Sequence, residues 1–211
     1  MLSKVEKRVS ITEVIANKIA LWVKERNRLE EIDYLKMKLG VGVILTNITK
    51  GIIVYGLAIL LNIFFETLIL HGSYFLLRRS SFGLHAKSST ICTLLSIVLF
   101  VVIPYMMKDI VINNYILLPL FLVCIFFVYL FAPADTEKHP LLGKNRRKKL
   151  RNQSVITCMV LMLIAVIVPM PMISTLVFTG VAIQVISILP VSYKLLKRSY
   201  DNYEQYEEQA S

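Results

Sequence analysis

One histidine and one cysteine lie seven residues apart in the segment RRSSFGLHAKSSTIC, which runs from Arg78 to Cys92 between two long apolar stretches. The chain holds only three residues of each type. A cysteine paired with an imidazole makes a nucleophile: the imidazole takes the thiol proton and later returns it to a leaving amine. The two side chains must then approach to roughly 3–4 Å. On an unbroken helix His85 and Cys92 would share a face but stand about 10.5 Å apart along the axis, too far for direct transfer. The segment therefore has to bend. Gly83 permits an unusual turn before His85, and Ser88 or Ser89 is a good N-cap for the apolar run that follows. With Ser89 as cap, Cys92 becomes the third residue of a new helix, where free N–H groups and the positive dipole end favour a thiolate. Arg78, Arg79 and Lys87 add positive potential. Ser88, Ser89 and backbone amides near Cys92 are the available oxyanion donors. Spacing alone leaves a second reading open, in which His85 is a loop histidine and Cys92 a small residue at membrane entry.

Other residues offer weaker chemistry. His71 ends an apolar run, and His139 precedes a proline in a charged loop. Cys124 and Cys158 sit inside apolar runs as small hydrophobes. An odd cysteine count without a CxxC pattern speaks against disulfides and structural zinc. GxSxG, HExxH and phosphate-cradling glycine motifs are absent, so the sequence implies no metal and no cofactor. Glu66 lies within an apolar region, where an ionisable group is costly and marks a functional position by default. The alternative is a glutamate reaching the interface from a helix end, or pairing with Lys50.

The elements that must position these residues are helices in lipid. Apolar residues make up 56% of the 211, and the mean hydropathy is +0.64. They fall in blocks long enough to cross a bilayer core, which takes about 20 helical residues. Backbone groups in lipid must pair internally, so the expected fold is an all-α, polytopic integral membrane protein. Residues 9–38 form an amphipathic helix, with Ile11, Ile15, Ile19, Trp22 and Leu29 on its apolar side, suited to a membrane surface or to packing on cytoplasmic loops. Residues 41–77 are too long for one crossing and read as a hairpin or re-entrant pair. Four later helices fall near 91–107, 113–132, 154–169 and 172–190, the last two separated by Pro169-Met170-Pro171. The domains are then a cytoplasmic N-terminal helix (1–40), a membrane domain (41–190) holding the segment 78–92, and a cytoplasmic tail (191–211). The tail's end, YDNYEQYEEQAS, reads as polar and frayed. The N-terminus lacks the compact apolar core of a signal peptide.

The net charge of +10 is unevenly placed. Nine Lys/Arg lie in residues 1–40, three in 78–88, seven in 133–153 and three after Pro190. Placing these segments in the cytoplasm satisfies the positive-inside rule, and puts both termini and the segment 78–92 on that side. The same rule removes the need for a nucleic-acid partner, while leaving room for an acidic peptide or anionic lipid.

The run Arg78-Arg79-Ser80-Ser81-Phe82-Gly83-Leu84-His85-Ala86-Lys87, followed by Cys92, resembles the signature of the accessory gene regulator protein B (AgrB) family. Ala132-Pro133-Ala134-Asp135-Thr136-Glu137-Lys138-His139-Pro140-Leu141 resembles that family's loop after a membrane helix, and the likeness covers essentially the whole chain. The resemblance implies a membrane cysteine endopeptidase of a Gram-positive bacterium that processes an AgrD-type quorum-sensing propeptide. Cys92 would be the nucleophile and His85 the general base and acid, with Arg78 and Gly83 serving substrate or site geometry. The acyl-enzyme would be captured by a side chain of the substrate, giving a thiolactone or lactone ring after release of an acidic tail. A homodimer is implied as well. Two other classes remain: a peptide transporter or export subunit without covalent chemistry, which would depend on Glu66 rather than Cys92, and a membrane scaffold recruiting a partner through the N-terminal helix.

Overall fold

A computed structural model describes residues 11–27, 30–84, 89–136 and 140–208. The described residues are helical apart from short connections and one isolated β-bridge. The helices are α1 (Ile11–Asn27), α2 (Glu31–Leu60), α3 (Phe64–Ser81), α4 (Ser89–Ile97), α5 (Ile103–Met107), α6 (Asn114–Phe131), α7 (Lys144–Ile167), α8 (Pro171–Ile188), α9 (Pro190–Leu195) and α10 (Tyr203–Glu208). A π-helical turn, Val98–Val102, joins α4 to α5. Pro104 stands two residues beyond it; its missing N–H and its ring disturb the ladder behind it, and the wider turn absorbs that. Five stretches are long and apolar enough to cross a membrane: Glu31–Leu60, Thr90–Met107, Asn114–Phe131, Lys144–Ile167 and Pro171–Ile188. The chain is thus an all-α, polytopic membrane protein.

The chain divides into two compact units, residues 1–56 and 57–211. In the first, Ala16 and Ala20 of α1 are buried, and Tyr34 donates a hydrogen bond to Asn17 Oδ1 at 2.8 Å. Lys24 pairs with Glu31. Ile15, Ile19 and Trp22 remain exposed, so small residues rather than the large apolar ones make the α1 contact. The amphipathic element expected over 9–38 is split, since α1 ends at Asn27 and α2 starts at Glu31. Glu31 and Asp33 in the first turn of α2 favour a helix start there.

In the second unit α3 packs against α7 and α8. Two helices do occupy the 41–77 region, with the break at residues 61–63, but α3 runs on to Ser81. Arg78 and Arg79 are therefore helical rather than part of a loop. Arginine is a good helix former, and positive charge suits the last turn. Likewise α7 begins at Lys144, ten residues before the apolar run expected at 154, because KNRRKKLR itself sustains a helix.

The α3–α8 crossing depends on Gly180. A Cβ there would stand 2.4 Å from Leu70 O and 3.0 Å from both Ser73 Cβ and Tyr74 N. Small residues allow such close approach between membrane helices. Backbone cannot yield as a side-chain tip does, so Gly180→Ala should destabilise the protein by about 1–3 kcal/mol. The readout is the thermal midpoint in detergent; an unchanged midpoint would contradict the tight crossing.

The C-terminal segment is not frayed over its described length. Asp135, 2% exposed, accepts hydrogen bonds from the backbone N–H groups of Asn202 (3.0 Å) and Tyr203 (2.8 Å) and from Asn202 Nδ2 (3.1 Å). Tyr193 donates its hydroxyl proton to Asp135 O at 2.8 Å. Arg147 binds both Glu207 oxygens, at 2.7 and 3.1 Å, and with the Gly143 N–H holds that carboxyl's pKa down to about 2.

Candidate active site

The chain leaves α3 through two successive residues of positive φ, Phe82 at 55° and Gly83 at 112°. Phe82 pays a strain that glycine would not, and such strain persists only where neighbours over-determine the backbone. Those neighbours are present. The Phe82 N–H bonds Arg78 O at 2.9 Å, the Gly83 N–H bonds Ala134 O at 2.9 Å, and the Leu84 N–H bonds Ser187 O at 3.2 Å. The Ala134 N–H returns to Ser81 O at 3.0 Å. The two sequence motifs, 78–87 and 132–141, are thus joined by backbone pairing.

Side chains complete the clamp. Arg78 is half-buried; its Nη2 donates to Leu84 O at 2.6 Å and its Nη1 to Gln184 Oε1 at 3.3 Å. Gln184, fully buried, donates through Nε2 to Ser81 Oγ (2.7 Å) and Phe82 O (2.5 Å). Ser187 Oγ donates to Gln184 Oε1 at 2.9 Å. On the α7 side, Ser154 Oγ donates to Ser80 Oγ at 3.0 Å and Arg151 Nε to Ala132 O at 2.9 Å.

Cys92 is half-buried and stands fourth in α4, which opens at Ser89 itself. The helix start falls one residue earlier than Ser89 as cap would place it. α3 ends at Ser81 and α4 opens at Ser89, and residues 82–84 are not helical; the bend expected between His85 and Cys92 falls on residues outside the described ones. His85, Lys87 and Ser88 lie outside the described residues, and so does the Ser89 side chain. On α3, His71 and Tyr74 meet Phe100 of the π-helical turn that follows the Cys92-bearing helix. The Phe100 ring lies tilted against His71 (4.2 Å between centroids) and meets Tyr74 edge-to-face (5.0 Å). The Arg78 guanidinium lies 5.4 Å from the Tyr74 ring centroid.

Arg78 and Gly83 are therefore brought into one cluster, at the end of α3 from which the chain proceeds to His85. Glu66 is not part of it. It is in the first turn of α3, twelve residues from Arg78 and about 18 Å away along the axis. Cys124 and Cys158 are buried on α6 and α7, in the apolar core with Phe121 and Val181. Among the described residues no group of three His, Cys, Asp or Glu could hold a metal ion.

Sequence reasoning missed Tyr74, Ser187 and Gln184. For Gln184 a signal existed: it is the single amide between Pro171 and Pro190, and an amide at membrane depth is costly unless fully bonded. The criterion that singled out Glu66 applies to it in weaker form.

The family model described as Accessory gene regulator B matches residues 12–188. The chain is 43% identical to an AgrB-like protein of Listeria innocua, over 98% of this chain and 100% of the relative. Identity is 38% with an AgrB-like protein of Clostridium acetobutylicum, over 94% and 95% of the two chains. It is 37% with accessory gene regulator protein B of Staphylococcus epidermidis, over 82% and 89%. No solved structure matches the chain.

Proposed function

The chain belongs to the accessory gene regulator B family, and we propose that it is a cysteine endopeptidase that cleaves and cyclises an AgrD-type propeptide at the cytoplasmic face of the membrane of a Gram-positive bacterium. The observation that carries this reading is the clamped exit of α3. It fixes the backbone up to Leu84, immediately before His85, while Cys92, fourth in α4, follows only eight residues after Leu84.

His85 takes the Cys92 thiol proton as Sγ attacks the scissile carbonyl carbon. The resulting oxyanion is met by backbone N–H groups of the first turn of α4, which lack helical acceptors. As the C–N bond breaks, His85 returns the proton to the leaving amine and the C-terminal tail departs. The acyl group remains on Cys92 as a thioester. A thiol or hydroxyl of the same substrate then attacks this carbonyl, its proton passes to His85, and the C–S bond to Cys92 breaks. The product is a thiolactone or lactone and the enzyme thiol is regenerated. No oxidant is consumed.

Cyclisation competes with hydrolysis, so the thioester has to be shielded from water. Ile91, Leu94 and Leu95 beside Cys92 are exposed apolar residues suited to lipid. An acidic tail suits the basic start of α7, where Lys144, Arg146, Lys148 and Lys149 are exposed. The Arg147–Glu207 pair shows a carboxylate already bound there. Cytoplasmic placement follows from the positive-inside rule, and a homodimer follows from the family resemblance.

Co-expression with a candidate propeptide, read by mass spectrometry, tests the proposal. The expected products are a free tail and a cyclic fragment lighter than the linear acid by one water. Intact propeptide moved to the medium without cleavage would favour an export subunit; uncleaved propeptide retained in the cell would equally contradict the proposal.

A further inference from the structure

We infer that Gln184 is a positioning residue for the proposed reaction, and that its carboxamide sets the backbone from which His85 is delivered to Cys92. The inference rests on the cysteine-protease reading and concerns a residue on a different helix, far from the motif in sequence.

Gln184 sits in α8 with no exposed surface. An amide buried among apolar helices costs several kcal/mol unless its donors and acceptor are met. Here they are met by the end of α3 and by Ser187 of its own helix. Nε2 donates to Ser81 Oγ and to Phe82 O, at 2.7 and 2.5 Å. Oε1 accepts from Arg78 Nη1 at 3.3 Å and from Ser187 Oγ at 2.9 Å. Phe82 is the strained residue of positive φ at the α3 exit, so the amide grips the carbonyl of the peptide least able to hold itself. Through Arg78 it also reaches Leu84, whose carbonyl accepts from Nη2 at 2.6 Å. A simple helix–helix tie would need one such bond. Four, all directed at residues 78–82 or at Ser187, which itself holds Leu84 through its carbonyl, make Gln184 the hub of the segment entering His85.

Loss of the amide frees the Phe82 carbonyl and one Arg78 donor without touching the reacting groups. A displacement of about 1 Å at a catalytic group can cost on the order of 100-fold in rate. The expected signature is a fall in acylation with little change in propeptide affinity.

The test uses the full-length protein in lipid nanodiscs, with single-turnover cleavage and propeptide binding measured separately. Gln184→Met, similar in length but unable to donate, should acylate roughly 10- to 100-fold more slowly with binding changed less than about twofold. Gln184→Glu keeps an acceptor for Arg78 and Ser187 but sets an oxygen against Phe82 O in place of the donor, so it should acylate no faster than Gln184→Met. Wild-type acylation in Gln184→Met would overturn the inference, as would wild-type acylation in Gln184→Glu. Should Gln184→Met not fold, Ser187→Ala, which removes one donor to Oε1, should slow acylation about threefold; an unchanged rate would then count against the hub. Alkylation of Cys92 by iodoacetamide, located by peptide mapping, separates this inference from the function it rests on. If the wild type never cleaves and His85→Ala alkylates at the wild-type rate, the protease reading fails. If the wild type cleaves and the Gln184 variants match it in both assays, only the positioning role fails.

Discussion

Cys92→Ala should reduce propeptide cleavage by at least about 10⁴-fold, the scale seen when a nucleophile that works as part of a unit is removed. Alanine removes the only atom able to form the acyl bond. It leaves α4 intact, because alanine is the better helix former and Cys92 contributes no hydrogen bond to the clamp at the α3 exit. His85→Ala should fall on a similar scale, roughly 10²–10⁴-fold, since it removes both the base that activates the thiol and the acid that frees the leaving amine. Membrane insertion and the thermal midpoint should change little in either variant. Cys124→Ala and Cys158→Ala provide the contrast. Both residues are buried in the apolar core on α6 and α7, so their loss trims packing but leaves cleavage near the wild-type level. Cleavage assays on membranes containing equal amounts of each variant read the difference. Full processing by Cys92→Ala would remove the nucleophile from the account.

Gly83→Ala should lose most activity for a different reason. At φ 112° an L residue is strained whatever the surrounding space, at a cost of about 1–3 kcal/mol. The space is also occupied: the new Cβ would meet Ser187 Oγ at 2.7 Å, Ser187 O at 3.1 Å and Ile188 Cγ2 at 3.2 Å. The serine hydroxyl can rotate away, but the carbonyl belongs to α8 and holds the Leu84 N–H. Relief therefore means shifting the backbone that leads into His85. Cleavage should drop by about 100-fold, with a modest loss of thermal midpoint. Gly51→Ala is the control, because nothing lies within 4 Å of its Cβ position and alanine favours a helix interior. Equal activity in the two variants would show that the α3 exit does not control catalysis.

Much of this was legible in the sequence, and the reasons are particular. Pro169 and Pro171 punctuate the last two spans, and long apolar runs located three helices to within a few residues and the C-terminal end of α7 as well. The basic α7 start was missed because lysine and arginine were read as topogenic charge, although they are also good helix formers. Arg78 falls outside the pair expected over 41–77 for the same reason. The need for a bend between His85 and Cys92 followed from helix geometry alone, yet its means did not. Phe82 adopting positive φ cannot be read from a phenylalanine, and its restraint comes from residues some hundred positions away. Asp135 carried no local signal either: its partners, Asn202 and Tyr203, lie in a polar tail that composition marks as frayed. Glu66 stands at the other end of α3. Its charge drew attention at membrane depth, but the first turn of α3 stabilises a carboxylate there without any role at the α3 exit.

The central claim is a covalent intermediate on Cys92. A propeptide whose ring-closing cysteine or serine is replaced by alanine still offers its scissile bond but cannot resolve the thioester by cyclisation. Mixed with the full-length protein and analysed by intact mass and peptide mapping, it should yield a hydroxylamine-labile adduct carrying the N-terminal fragment on the Cys92 peptide. Cleavage of that propeptide with no adduct at any time point, or an adduct on Cys124 or Cys158 instead, would contradict the account.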